Sequence, residues 1–184
     1  MSWQDIITTD LNEEYFPDIK KNLEEIYTFS SLTNFDIESC SLSAAVASGN
    51  NRLWTIISDN FIATNQERLA AIRAGGLAAQ NNVYYHYVNV LTELKSLPER
   101  LRMSVYDTAG GLTEEKFLLY LLSASIVGRC DYCVTAYSNL LKSKNFTVDN
   151  LRDVGRIASV VSSIATIVAS YTPPSGGGGD GGGL

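Results

Sequence analysis

The chain of 184 residues has a single histidine, His86, and only three cysteines. An odd cysteine count argues against a secreted disulfide scaffold and fits a reducing compartment. Positive charge is also scarce. Lys and Arg number 14 against 20 Asp and Glu, the net charge is −6, and no basic run exceeds Lys20–Lys21. A general nucleic-acid binder normally carries a basic patch, so that class is excluded. Long apolar runs are missing too. The longest, Ile157–Tyr171, is broken by Ser159, Ser162, Ser163, Thr166 and Ser170, and falls short of the roughly 20 residues of a membrane span. The start, MSWQDIITTDLNEEYF, is acidic and has neither the basic lead nor the apolar centre of a signal peptide. The expectation is a cytoplasmic protein with no membrane or nucleic-acid partner.

Alternating strand patterns do not persist, and helical spacing dominates. Ile19, Leu23, Ile26 and Tyr27 follow Pro17, which suits a first helical turn. A second helix runs through Ala44–Ala47 to the Gly49-Asn50-Asn51 break, and a third carries Leu53, Ile56, Ile57 and Phe61. A long segment from Asn65 to about Leu94 has Thr64 or Asn65 as N-cap and Glu67 in its first turn. It contains Gly75-Gly76, which predicts close packing or a kink, and the strand-like Asn82–Val88, which is read as helix. Pro98 marks the next break. After a Gly110-Gly111 turn, Thr113 caps a helix through Phe117, Leu118, Leu121, Leu122 and Ile126 that ends at Gly128. Another runs from the cysteine pair to about Leu141. The last has Asp149 near its start and Leu151, Val154, Ile157, Ala158, Val161, Ile164 and Ile167 on one face. The fold class is all-α, a single-domain bundle of about eight helices over residues 1–172, with a flexible Gly-rich tail at 173–184.

The chemistry concentrates in RCDYCVTAY, residues 129–137. Cys130 and Cys133 fall on one helix face about one turn apart, within disulfide reach at roughly 5 Å between Cα atoms. Gly128 places both near a helix N-terminus, where free N–H groups and the dipole favour a thiolate. Arg129 supports this and Asp131 opposes it. The dipole alone nominates Cys130, nearer the helix start, as the nucleophile. Two blander readings compete. The pair could be half of a zinc site, with only Cys40 and His86 left as soft ligands, or two packed core residues. Cys40 is most simply a core residue.

Asp18–Leu23 (DIKKNL), Asn81–Tyr85 (NNVYY), Leu101–Met103 (LRM) and Ser123–Cys133 (SASIVGRCDYC) together resemble the alkylhydroperoxidase D proteins of the carboxymuconolactone decarboxylase superfamily. The resemblance covers most of residues 10–170. It implies an all-helical homotrimer with antioxidant thiol peroxidase activity, of peroxiredoxin type, and no cofactor or metal. It assigns Cys133 as the peroxidatic thiol and Cys130 as the resolving one, the two closing a redox-active disulfide. It also implies a lipoyl-bearing adaptor as electron donor and a peroxiredoxin as possible partner.

The family pattern carries a glutamate twelve residues before the first cysteine and a histidine four after the second, forming a proton relay. Here those positions are Leu118 and Tyr137, and Tyr132 stands where a histidine is frequent. Tyr137 lies one turn after Cys133, so its hydroxyl can approach the sulfur. A phenol with its ordinary pKa near ~10 is a poor general base. Its alternative role is packing. Glu114, one turn before Leu118, and His86 are the other proton-carrying candidates; their plain readings are a helix-start charge and a packed or surface histidine. The expected function is a weak alkyl hydroperoxide or disulfide reductase. The alternatives are a non-catalytic oligomeric or partner-binding member of the fold and a decarboxylase-like activity.

Overall fold

The computed structural model describes residues 1–11, 16–102 and 112–171. Met103 of the LRM motif, the Gly110-Gly111 turn and the glycine tail lie outside the described residues. Among the described residues there are eight α-helices: α1 (Trp3–Asp10), α2 (Pro17–Thr28), α3 (Asn34–Ser48), α4 (Asn51–Asp59), α5 (Asn65–Val90), α6 (Glu114–Val127), α7 (Asp131–Ser143) and α8 (Val148–Ser170). Among the described residues there is no strand, and the all-α expectation holds.

Side-chain caps set most helix starts. Thr64 and Thr113 accept hydrogen bonds from the backbone N–H groups of Glu67 and Lys116, as their sequence positions predict. Three details differ from the sequence reading. α5 stops at Val90, where Leu91 leaves helical geometry, and a short 3-10 helix (Thr92–Ser96) follows. α4 ends at Asp59, so Phe61 lies beyond it. α1 is an additional helix, closed by a Ser2–Asp5 capping box.

α3 and α6 form the centre. Every residue from Asp36 to Ala45 is buried, as is every residue from Phe117 to Ser125. A helix buried all round lies inside the bundle, and α3 packs against α5, α6 and α8. Small polar residues allow the close approach. The Ser43 hydroxyl donates to the Tyr120 carbonyl and the Ser123 hydroxyl to the Cys40 carbonyl, each at 2.9 Å. Buried Glu38 ties α1 and α2 to this centre. Its Oε1 accepts from Trp3 Nε1 (3.0 Å), Gln4 Nε2 (3.2 Å) and the Tyr27 hydroxyl (2.5 Å). Burial pushes its carboxyl above the ordinary range, although these three donors pull the other way.

α8, at 23 residues, is long and apolar enough to cross a bilayer by length and composition, contrary to the estimate from the interrupted run. Its packing accounts for that character. Val154, Ile157, Val161, Ile164 and Val168 are buried, and the helix lies along α3, α6 and α2. Asp153 is buried on it, and its Oδ2 accepts from the Ser31 amide (2.7 Å) and hydroxyl (2.8 Å). Burial alone would raise that carboxyl; the bonds from Ser31, Arg156 and Arg152 outweigh it and hold the pKa low.

The paired glycines of α5 separate into two cases. A Cβ on Gly75 would lie 2.7 Å from Val46 Cβ and 2.9 Å from the Ser43 carbonyl, so glycine here permits close α3–α5 packing. A Cβ on Gly76 would meet nothing within 4 Å. Gly75→Ala is expected to cost about 1–3 kcal/mol by overpacking. Gly76→Ala should stabilise by about 0.5–1 kcal/mol, because a mid-helix glycine is less favourable than alanine. Urea unfolding of the two variants checks the opposite signs.

Candidate functional site

The site grows out of the turn between α6 and α7. α6 closes with Gly128 N–H donating to the Ala124 carbonyl (3.0 Å), and Cys130 N–H donates back to Ser125 (3.2 Å). Between them Arg129 adopts a left-handed conformation, φ 55°. That reversal puts Cys130 at the N-cap of α7, and its Sγ accepts from the Cys133 amide at 3.2 Å. Cys133 sits one turn along, and the two sulfurs form a disulfide with Cα atoms 5.2 Å apart. Both are buried, Cys130 6% exposed and Cys133 1%. Arg129 and Asp131 both face solvent, where water screens their opposing effects on the sulfurs.

Tyr137 is buried one turn after Cys133 on α7. Its hydroxyl accepts a 2.8 Å hydrogen bond from Asn81 Nδ2, which reaches it from α5. The next residue, Asn82, packs against Gly128: a Cβ there would lie 1.6 Å from Asn82 Nδ2. The two asparagines thus hold α5 against both the turn and the helix that carry the dithiol. Neither was assigned a role from the sequence. The usable signal was two adjacent amide side chains inside a helix, where Asn is a weak helix former.

Tyr132, between the cysteines, is 51% exposed. Its ring lies against Tyr85 with centroids 4.3 Å apart. The Tyr85 hydroxyl donates to Glu99 at 2.7 Å. Partial burial, then the Glu99 carboxylate, push the Tyr85 phenol well above its ordinary range, so it remains protonated and a donor.

Leu118 is wholly buried in the core. Glu114 is turned to the Lys144 ammonium at 2.8 Å, which leaves the plain helix-start reading. His86 is exposed on α5. Cys40 is buried in α3 with its thiol directed at the Leu119 carbonyl, 3.8 Å away. Burial, reinforced by Asp36, pushes that thiol well above its ordinary pKa. Among the described residues no group of three or more His, Cys, Asp or Glu is placed to hold a metal ion.

No protein-family profile matches the chain. Whole-protein relatives do. An alkyl hydroperoxide reductase AhpD of Rhodospirillum centenum is 31% identical over 171 residues, covering 89% of each chain. The protein of that name from Coxiella burnetii is 31% identical over 84% of this chain and 90% of its own. The chain belongs to the AhpD family, within the carboxymuconolactone decarboxylase superfamily. A more distant AhpD, from Mycolicibacterium smegmatis, is 29% identical over 83% of this chain. Similarity of this extent covers most of the chain rather than the cysteine segment alone.

Proposed function

We propose that this AhpD-family chain reduces organic hydroperoxides with Cys133 and Cys130. The observation that supports the reading is a cysteine pair at the first turn of α7, with Cys130 at the N-cap and Cys133 one turn before the buried Tyr137. The Cys133 thiolate attacks the outer peroxide oxygen. The O–O bond breaks, the alkoxide takes a proton and leaves as an alcohol, and Cys133 becomes a sulfenic acid. The Cys130 thiol then displaces water from that sulfur, closing the disulfide. Two electrons from an external dithiol reopen it by thiol exchange. Leu118 and Tyr137 supply no general base, and loss of one typically costs about 10²–10⁴-fold in rate. Peroxide reduction is therefore slow, while disulfide exchange, which depends on thiolate fraction and access, is less affected.

The same reading includes a homotrimer in the cytoplasm. A lipoyl-bearing adaptor donates the electrons, and a partner peroxiredoxin is re-reduced. Sedimentation gives the oligomeric state directly.

The test is hydroperoxide consumption with a dihydrolipoyl reductant. Wild type should exceed background, and Cys133→Ser and Cys130→Ser should not. Mild oxidation should remove two titratable thiols from wild type, and this paired loss should disappear in Cys130→Ser. Wild-type turnover equal to that of both variants, with no paired thiol loss, refutes the reading.

A further inference from the structure

We infer that Glu38 is a carboxylic acid and not a carboxylate in the folded chain, that its Oε2–H is given to Gln4 Oε1, and that this acid–amide pair is a pH-sensitive latch holding α1 on the bundle.

The hydrogen bonds of Glu38 are one-sided. Oε1 accepts from Trp3 Nε1, Gln4 Nε2 and the Tyr27 hydroxyl. Oε2 is buried and accepts from nothing. A carboxylate has two equivalent oxygens, and each needs donors once water is removed. A carboxylic acid has one carbonyl oxygen that accepts and one hydroxyl oxygen that donates. The observed division fits the acid.

A second unpaired atom identifies the acceptor of that proton. Gln4 Oε1 is also buried without a partner, on a side chain already bonded to Glu38 through Nε2 at 3.2 Å. Two unpaired acceptors on two side chains that touch are costly when neither carries hydrogen. One proton on Glu38 Oε2 satisfies both. The amide then gives N–H to the carboxyl and takes O–H from it.

The surroundings hold no charge that favours the anion. Glu38 is 2% exposed, and among the described residues no Lys or Arg pairs with it. α1 faces it with neutral Trp3 and Gln4, and α2 with the Tyr27 phenol. Burial, then Glu38 itself, hold that phenol well above its ordinary range, so it remains a donor. On α3, Asp36 is turned to Thr33 and Lys116. Asp5, Lys20 and Glu24 stand on the rim of a cleft of about 320 Å³ between α1 and α2, which Gln4 and Tyr27 also line. Burial without a counter-ion disfavours the charged form, and the Glu38 carboxyl is shifted in that direction.

The consequence falls on α1. Its buried side chains are Trp3 and Ile7, and the polar ends of Trp3 and Gln4 both meet Glu38. Ionisation leaves a charged Oε2 with no donor and Gln4 Oε1 with no hydrogen. The sign follows from linkage. A glutamate whose folded pKa lies above its unfolded value of about 4.3 contributes stability that is fully present below that value. The contribution is lost as pH rises through the folded pKa.

The test is a titration of the full chain. Carbon-13 carboxyl signals, assigned through bonds, report Glu38 directly. Its midpoint should lie about one pH unit or more above the ordinary value of about 4.3; a smaller or downward shift overturns the inference. Gln4→Met separates the two roles of the amide. If Gln4 accepts the proton, its loss disfavours the acid and the midpoint falls. If Gln4 only donates to Oε1, its loss disfavours the anion and the midpoint rises, which overturns the pairing. The latch is read at the indole N–H of Trp3. Trp54, bonded to Asn51 within α4, is the internal control. Exchange at Trp3 relative to Trp54 should rise by up to about tenfold per pH unit through the Glu38 titration. It should stay flat in Glu38→Gln, whose amide keeps the pairing with Gln4. Equal profiles in the two proteins overturn the latch. If Glu38→Gln does not fold, the wild-type midpoint and the direction of the Gln4→Met shift decide.

Discussion

Leu118→Glu together with Tyr137→His should raise the rate of peroxide reduction by about 10²-fold or more. Leu118 is wholly buried on α6, and Tyr137 is buried one turn from Cys133 on α7. An imidazole titrating near ~6.5 takes a thiol proton at neutral pH, which a phenol does not. The carboxyl then serves to hold the imidazole and stabilise its charged form. Each change alone is expected to disappoint. Leu118→Glu by itself places an unpartnered carboxyl in the apolar centre, which costs several kcal/mol or leaves the group protonated. Tyr137→His alone supplies the base, but without a carboxyl partner. The activity of the pair should rise with pH through the imidazole titration, whereas wild type should follow the thiol alone. Steady-state assays of the four proteins across pH 5.5–8.5 provide the check. No gain in the pair would show that positions 118 and 137 do not converge on Cys133.

Gly128→Ala should destabilise the protein by about 3 kcal/mol, near the upper end of overpacking costs. For a chain of this size that is a fall in Tm of about 6–12 °C. The reason is contact and not backbone conformation. Gly128 has φ −75°, which any residue adopts, but a Cβ there would lie 1.6 Å from Asn82 Nδ2 and 2.6 Å from Asn82 Cγ. Asn82 is 9% exposed and has little room to retreat. Asn82→Ala in the same chain should recover much of the loss. Thermal melts of the two single variants and the double variant form the cycle. Purely additive effects would mean that the penalty arises elsewhere, for example in the unfolded chain.

This turn also shows how far local sequence reading reaches. Glycine after a helix ordinarily marks the left-handed residue of a C-cap. The helix does end at Gly128, yet the left-handed residue is Arg129. The glycine serves a neighbour 46 positions away in number, Asn82, which no local pattern reveals. Starts governed by local chemistry were legible: Thr64 and Thr113 cap as their spacing indicates. α3 was legible only at its alanine end, because its buried stretch includes Asp36, Glu38, Ser39, Ser41 and Ser43. Such residues resemble a loop until their partners on other helices are known. α1 presents just two buried side chains, Trp3 and Ile7, too few to set a period.

The dithiol and its family were readable from the spacing of Cys130 and Cys133 and from the motifs around it. The surroundings were not. Helical periodicity places Glu114 on the face of Leu118, but its carboxylate goes to Lys144, 30 residues on. A partner of Tyr137, Asn81, lies 56 residues back in the chain. Spacing identifies which side chains share a face; which helix arrives opposite that face is settled by packing of the whole bundle.

Cys40 gives the molecule a built-in clock. Its thiol is enclosed between α3 and α6, so a labelling reagent reaches it only when those two central helices part. Its modification rate in the folded protein therefore reports how often the core opens, and comparison with the rate in denaturant converts that frequency into a free energy of opening. With Cys130 and Cys133 closed as a disulfide, the signal comes from this one position. Redox chemistry at the turn and breathing of the centre can thus be timed separately in the same chain.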